Sequence, residues 1–377
     1  MNVEVIRGWE MARELLQEAW EELYRQADMR SPFTSFQWFD TWFQVFGDPE
    51  TVRIVVVRDD NRVRAILPGR IEKHRYGGLP LTCFVFPADA HTPRSGVVCL
   101  PGNVDAARAA IMATMTLDEP VDLAILPDIE LHSVNWQVLS GGLPAPCSVR
   151  VEHRYQSPFF SMEDGWEAYL RGRSVNFRKS IRQSIKRCEG RGQVTSEVFV
   201  VGQNFQAGLD RLRALDERTW QGKNGSGVFR SRNWGRFYDK LSRTSLPLVR
   251  FELEFLLIDG VDVAFALLAS QGEQAFLLRT GYDTDYENYH PGVTLQERFC
   301  KRLVAAGVTN FDFGAFITEY KKRWETGRHE HACYWVINRG TLKGRLLWLE
   351  LLLHDRIRPR LERWRSAKAA GPQGAEA

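Results

Sequence analysis

The sequence has no run of about 18 apolar residues, the length that a membrane-spanning helix requires. Its charged opening, MNVEVIRGWEMARELL, has no apolar core of signal-peptide length, so a cytoplasmic protein is expected. Six cysteines (Cys83, Cys99, Cys147, Cys188, Cys300, Cys333) stand without a CxxC pair and without Cys/His metal spacing. That pattern argues against a disulfide scaffold and a zinc site and fits reduced thiols with no metal. Charge of one sign is also scarce: 50 Lys and Arg face 47 Asp and Glu, for a net charge of +3. No global case for nucleic acid follows, and only a local basic patch remains open. No cysteine or serine has a histidine and an acid in a recognisable partnership, which disfavours a covalent intermediate.

What is present is a folded chain of 377 residues, 44% hydrophobic and 26% charged. It is too long for one small core, so two domains or a double domain are expected. Residues 9–27 carry helical apolar spacing, and Ser31-Pro32 ends it. An aromatic cluster follows (Phe33, Phe36, Trp38, Phe39, Trp42, Phe43, Phe46), which is core packing or a stacking wall for a substrate. A hairpin is predicted at Ile54 to Leu67 about the Asp59-Asp60-Asn61 turn, then strands at Leu81 to Phe86, Gly96 to Leu100 and Val121 to Leu126, with a helix from Val104. His91 falls in the loop 88–94 and reads as a surface residue. The second half opens with two strand-like pieces, SVRVEH and SPFFSM. A helix near Asp164, a basic helix from Ser174 to Glu189, a strand at 194–200 and a helix at 205–220 follow. Beyond the glycine-rich loop 221–231 come a second hairpin about Asp259-Gly260, strands at 274–280 and 332–337, and a long Leu- and Arg-rich terminal helix. That helix packs on the domain or a partner, with a peripheral membrane surface the less favoured alternative.

The stretch Arg279 to Trp324 concentrates the functional signals. Pro291-Gly292 opens an amphipathic helix whose first N–H groups, including those of Val293 and Thr294, face the Tyr/Asp-rich loop before it. Such a terminus receives phosphate readily, although an ordinary strand-helix-strand unit with a Pro-Gly start reads the same way. The following strand, 308–313, carries Asp312 to the end where open sheets hold ligands, and Tyr320 and Lys321 follow closely. The two halves share a plan. Each has a hairpin with an acidic turn, a Pro-Gly helix start and a strand bearing an aspartate, and Pro101 stands as far from Asp122 as Pro291 does from Asp312. A tandem duplication is inferred in which the first copy has lost the Tyr/Asp loop and the Tyr-Lys, and with them the chemistry.

The motifs TWQGKNGSGVF, GYDTDYENYHPGVTLQ, AAGVTNFDFG and YKKRW, with SPFTSFQWFDTWFQVFG and Ala65-Ile66-Leu67-Pro68 in the first half, resemble the CelD-like branch of the GNAT acyltransferase superfamily, related to the FemAB/FemX aminoacyltransferases. The resemblance implies an α/β (α+β) fold of two tandem GNAT-like modules, each a mixed β-sheet flanked by helices. It divides the chain into a non-catalytic module (1–150), a catalytic module (151–340), a C-terminal helix (341–366) and a disordered tail (367–377). The activity it implies is transfer of an acyl or aminoacyl group to an amine. Pro291-Gly292 takes the place of the glycine-rich turn that holds the pyrophosphate of coenzyme A, supplying one glycine where that turn has more. Lys321 matches the lysine of the Tyr/Phe-Lys motif near the acyl-transfer centre.

Acyl transfer to an amine needs a bound donor, a deprotonated amine and a group facing the developing oxyanion. Lys321 suits the oxyanion or a donor phosphate. Tyr320 or Tyr282 can protonate a leaving thiolate, and Asp283 or Asp312 can accept the amine proton, unless these aspartates only cap loops. Gly292, Val293, Thr294, Tyr282 and His290 are the candidate donor-binding residues. The basic segment 171–192, with Arg178 and Arg182 on outer faces, is either a solvated face or an anion-binding wall. Trp220 and Lys223 are either parts of a lid over substrate or a packed tryptophan and a surface lysine. Three readings follow: an acyl-CoA-dependent N-acyltransferase acting on a small amine, an aminoacyl-tRNA-dependent transferase, and a non-catalytic binding module in envelope or polysaccharide assembly.

Overall fold

The computed structural model describes residues 1–28, 30–88, 92–314 and 317–369, with side chains as far as 355. His91 and most of the tail after 367 therefore lie outside the described residues. The strands are β1 (Asn2–Arg7), β2 (Val52–Asp59), β3 (Arg62–Tyr76), β4 (Leu79–Val85), β5 (Val98–Cys99), β6 (Leu123–Glu130), β7 (Cys147–Ser161), β8 (Val194–Val200), β9 (Arg250–Ile258), β10 (Val261–Gln271), β11 (Gln274–Tyr282), β12 (Asn310–Asp312) and β13 (Gly327–Asn338). The two expected hairpins are present. Each turns through residues at positive φ, Asp60 and Asn61 in the first and Asp259 and Gly260 in the second, as tight two-residue turns between right-twisted strands require.

The strands join in one mixed sheet in the order β1-β2-β3-β4-β6-β13-β7-β12-β11-β10-β9-β8, with β5 on β3. The order is a palindrome of two like halves, but each half gives its last strand to the other. β13 pairs with β6 and β7 pairs with β12, while β7 and β13 pair with each other along their length. The modules thus share one continuous sheet, and the expected boundary near residue 150 falls inside β7. That strand also unites the two pieces, SVRVEH and SPFFSM, that the sequence presents separately.

Alternation along the strands of the second half divides the core. Leu253, Phe255, Leu257, Phe265, Leu267 and Phe276 pack with Trp20, Trp38 and Phe237 from helices on one face. Leu256, Ile258, Ala264, Ala266, Leu268 and Leu277 pack with Phe177, Leu295 and Trp324 from helices on the other, as a side-chain period of two dictates. The aromatic cluster of the first half belongs to the core: Trp38 stacks on Phe251 at 5.3 Å between ring centres and meets Phe237 at 4.9 Å, which joins the modules. The Asn2–Arg7 strand and the Arg232–Leu241 helix carry no signal read in the sequence. Among the described residues no helix is long and apolar enough to cross a membrane.

Candidate functional site

The helix Pro291–Ala305 begins as its Pro-Gly start predicts. Pro291 supplies a helical φ at no hydrogen-bond cost, and His290 takes the left-handed conformation before it (φ 55°, ψ 51°) with no side-chain cap. The equivalent helix of the first module, Val104–Ala113, starts three residues after Pro101, and its Asn103 side chain accepts a hydrogen bond from the Ala106 N–H. One helix start is closed by its own side chain; the other has no side-chain cap, but the Val293 and Thr294 N–H groups, expected to face the loop, bond instead to the His290 carbonyl at 3.1 and 3.4 Å, so this start is open only at Gly292. Tyr282 lies against the open one, since a Cβ at Gly292 would meet its ring at 3.6 Å.

The basic helix Val175–Arg191 is capped by Ser174, which accepts from the Phe177 N–H, and it buries Phe177, Ile181, Ser184 and Cys188. Cys188 Sγ lies 3.4 Å from both the Tyr289 carbonyl and Thr294 Oγ1, which ties the C-terminal end of this helix to the open helix start. Eight residues earlier, about 12 Å along the axis, Ser180 Oγ accepts from Arg323 at 3.1 Å. Arg173 donates to the carbonyls of Glu325 and Arg323 at 2.8 and 2.7 Å. Cations therefore collect at this corner. Burial, then the charges of Arg187 and Arg323, hold His290 below the usual histidine range, while Arg191 stands 5.8 Å over the Tyr286 ring. Arg182 is exposed and Arg178 half-exposed on outer faces of the same helix.

Lys321 lies on the short helix Glu319–Trp324, capped by Thr318, where the sequence reading had only a connection. Its Nζ donates to the Phe313 carbonyl at 2.8 Å, just past the end of β12. Burial lowers its pKa to about 8, against the nearby Asp312, which acts to raise it. Tyr320 packs on Phe313 and Trp324 instead, and burial raises its phenol. Beside Lys321 the sheet parts. β12 pairs with β11 only through Asn310, Phe311 and Asp312, opposite Gln274, Ala275 and Phe276, whereas β11 runs on to Tyr282. A register shift against β10 bulges β11 at Leu278, at the mouth of the split.

Both candidate aspartates are buried and engaged. Asp283 accepts from the Asp285 N–H at 3.0 Å and pairs with Arg218 at 2.8 Å. Asp312 accepts from the Gly314 N–H at 2.6 Å and forms an ion pair with Arg94, a residue of the first module that sequence reasoning passed over. The Arg94 guanidinium, 3% exposed, also donates to the Pro93 carbonyl at 2.7 Å and to Ser157 Oγ at 3.1 Å. Ser157 in turn meets His331 Nε2 at 2.8 Å. Burial, then Arg94 and His329, lower the His331 pKa to about 2, so it is neutral. No sequence signal marks this cluster, because its members come from four separate segments brought together only by the strand exchange.

Trp220 is half exposed on a one-turn helix, and the preceding Thr219 bridges to Asp283. Lys223 reaches the Thr284 hydroxyl. Both residues therefore border the Tyr/Asp-rich loop. The glycine-rich loop is pinned beneath them by Asp216, which accepts from the Phe229 N–H at 3.3 Å. A groove of about 850 Å³ lies elsewhere, between the helices Trp9–Arg25, Phe36–Phe46 and Arg232–Leu241; of the aromatic cluster only Phe36 lines it, and it holds none of the candidate catalytic, donor-binding or substrate-binding residues.

Residues 175–322 match the family model described as an acetyltransferase (GNAT) domain. The match spans under half of the chain and makes this part of the second module similar to a GNAT acetyltransferase domain. Among solved structures, FemX is similar at 13% identity with a TM-score of 0.62, covering 90% of this chain and 98% of that one. A C-terminal domain described as that of a lysylphosphatidylglycerol synthetase, from Agrobacterium fabrum, is similar at 14% identity with a TM-score of 0.56, covering 90% and 97%. A conserved protein of unknown function from Bacteroides thetaiotaomicron follows at 12% identity and a TM-score of 0.55, covering 89% and 100%. At such identities these likenesses concern the fold. No match is found among curated protein sequences.

Proposed function

We propose that the second module is the catalytic one and transfers an acyl group from acyl-coenzyme A to the amine of a small molecule or sugar-linked intermediate by direct attack. One observation carries this reading: an uncapped helix start at His290 to Gly292 stands near Arg187 and Arg323, the latter on the short helix that also carries Lys321, with Arg191 over Tyr286 of the preceding loop. The Gly292 N–H, the positive end of the helix and these guanidinium groups together suit the donor pyrophosphate. The thioester then lies along the split between β11 and β12, and the Lys321 ammonium faces the oxyanion that forms as the amine attacks. Tyr282, whose hydroxyl is 3.4 Å from Glu287, is better disposed than the packed Tyr320 to protonate the leaving thiolate. Asp312 and Asp283, each held by an arginine, serve the geometry of the site; the amine enters deprotonated and, after attack, releases its remaining excess proton to solvent, from which Tyr282 is reprotonated. Trp220 and Lys223 border the acceptor side.

A second reading, with an aminoacyl-tRNA donor, is supported by the fold likeness to FemX and by the outward Arg178 and Arg182. One experiment separates the two. Thermal shift and mass spectrometry of the purified protein are run against acyl-CoAs and aminoacyl-tRNAs, where a ligand at about 100 times its Kd adds about 2.7 kcal/mol. Stabilisation and acyl transfer with an acyl-CoA support the first reading. A response to aminoacyl-tRNA alone replaces it with the second, and binding without turnover of either reduces the chain to a binding module.

A further inference from the structure

We propose that Arg94 of the first module is a positioning residue for Lys321 of the second, acting through the Asp312 carboxylate and the turn at Phe313 and Gly314. The first half then completes the acyl-transfer centre instead of only flanking it. This rests on the reading that places Lys321 at that centre.

The contacts form one chain. Arg94 is anchored on its own module by the Pro93 carbonyl and reaches across the shared sheet to Ser157 on β7 and Asp312 at the end of β12, with its guanidinium 5.9 Å from the centre of the Phe276 ring. Asp312 holds the Gly314 N–H at 2.6 Å, which fixes a turn whose glycine sits at φ 70°. The Phe313 carbonyl of that turn receives Lys321 Nζ at 2.8 Å. Removing Arg94 therefore disturbs both the seat of the lysine and the charge beside it. A buried carboxylate without its guanidinium turns to the cations that remain, Lys321 and, when protonated, His329 at 4.0 Å.

The other charged groups around this centre are committed. On its own helix, Glu319 holds Lys322 at 2.6 Å and Arg323 turns to Ser180. From β13, His329 stands 4.0 Å from Asp312 and 3.4 Å from Glu130, and His331 is neutral against Ser157. From β7, Tyr155 donates to Asp128 at 2.5 Å. Tyr169 and Cys300, on the Tyr320 side, are held protonated by burial. The Arg94–Asp312 pair is thus the balance that Lys321 feels, in keeping with the opposing effects of burial and Asp312 on its amine.

The test is pH-dependent labelling of the full-length protein with trace acetic anhydride across about pH 6 to 10, reading each lysine by mass spectrometry. Arg94→Gln, which keeps a hydrogen-bond donor but no charge, is expected to raise the apparent pKa of Lys321 by about one unit or more. Asp312→Asn is expected to lower it by a comparable amount, while Lys322 stays unmoved in both. Local unfolding carries Lys321 upward in either variant, so a rise in Asp312→Asn, or no change in it, overturns the proposal. No rise in Arg94→Gln overturns it equally, and if that variant does not fold, Arg94→Lys, which keeps the charge but loses the two-pronged geometry, is labelled in its place and is expected to move Lys321 upward by less than about one unit. The labelling needs no substrate. Activity retained in Lys321→Ala removes the catalytic reading without touching this result, and a labelling failure leaves that reading intact.

Discussion

The amine of Lys321 donates to the carbonyl of Phe313 at 2.8 Å, whereas that of its neighbour Lys322 turns outward to Glu319 at 2.6 Å. Two adjacent lysines thus face opposite fates. Lys321→Ala is expected to cost on the order of 10²-fold in kcat/KM, as loss of one oxyanion donor does, and about 1 kcal/mol in stability for the lost hydrogen bond. Lys322→Ala serves as the control and leaves both nearly unchanged. Steady-state kinetics and thermal denaturation of the pair check this, and equal activities refute it.

With a folded-state pKa of about 8, Lys321 is mostly an ammonium at neutral pH and loses its charge just above it. If the ammonium is the active form, kcat/KM declines above about pH 8. Lys321→Arg stays charged throughout and removes that descending limb, even where its overall rate is lower. A pH–rate profile in which the limb survives the substitution assigns it to another group.

The cations at the open helix start are expected to outweigh those on the outer face of the basic helix. Arg187→Ala combined with Arg323→Ala weakens donor binding by about tenfold, or about 1.4 kcal/mol, and flattens its salt dependence. Arg178→Ala with Arg182→Ala leaves a coenzyme A donor nearly unaffected but weakens a tRNA donor. Titrations across a salt series distinguish the two sets.

Acid stability carries a separate signature. His331 is neutral in the folded protein down to about pH 2 but takes a proton near its ordinary value of about 6.5 when the chain unfolds. Its folded pKa is depressed, so stability is full above about pH 6.5 and drains away as the pH falls below that value, by up to about 1.4 kcal/mol per unit. His331→Gln, which keeps a partner for Ser157, is expected to flatten the dependence of Tm on pH between about 6.5 and 4. An unchanged slope shows that other groups carry it.

Local signals made much of the second module legible. The Asp259-Gly260 turn, the Pro291-Gly292 start and the apolar stripe of the basic helix each depend on residues close in sequence, and each appears where its chemistry requires. The strand expected at 308–313 shrank to three residues because Val308 still closes the preceding helix on the Leu303 carbonyl at 3.0 Å, while at the other end Asp312 draws the Gly314 N–H into a turn as Phe313 keeps its bond to the Pro158 carbonyl of β7 at 3.1 Å. The exchange of β7 and β13 had no local signal, since either strand reads equally well beside its own module. Arg94 was invisible for the same reason, its partner Asp312 being 218 positions away.

The palindromic sheet also sets a timetable for synthesis. Leu123 on β6 pairs with Ile337, and Ser161 at the end of β7 pairs with Asn310, so each half waits for strands made much later. Until the 327–338 segment leaves the ribosome, β6 is an open edge with unpaired N–H and C=O groups, the kind of edge that recruits other chains. A nascent chain stalled before Gly327 therefore holds most of the first core but not the strand that covers its β6 edge.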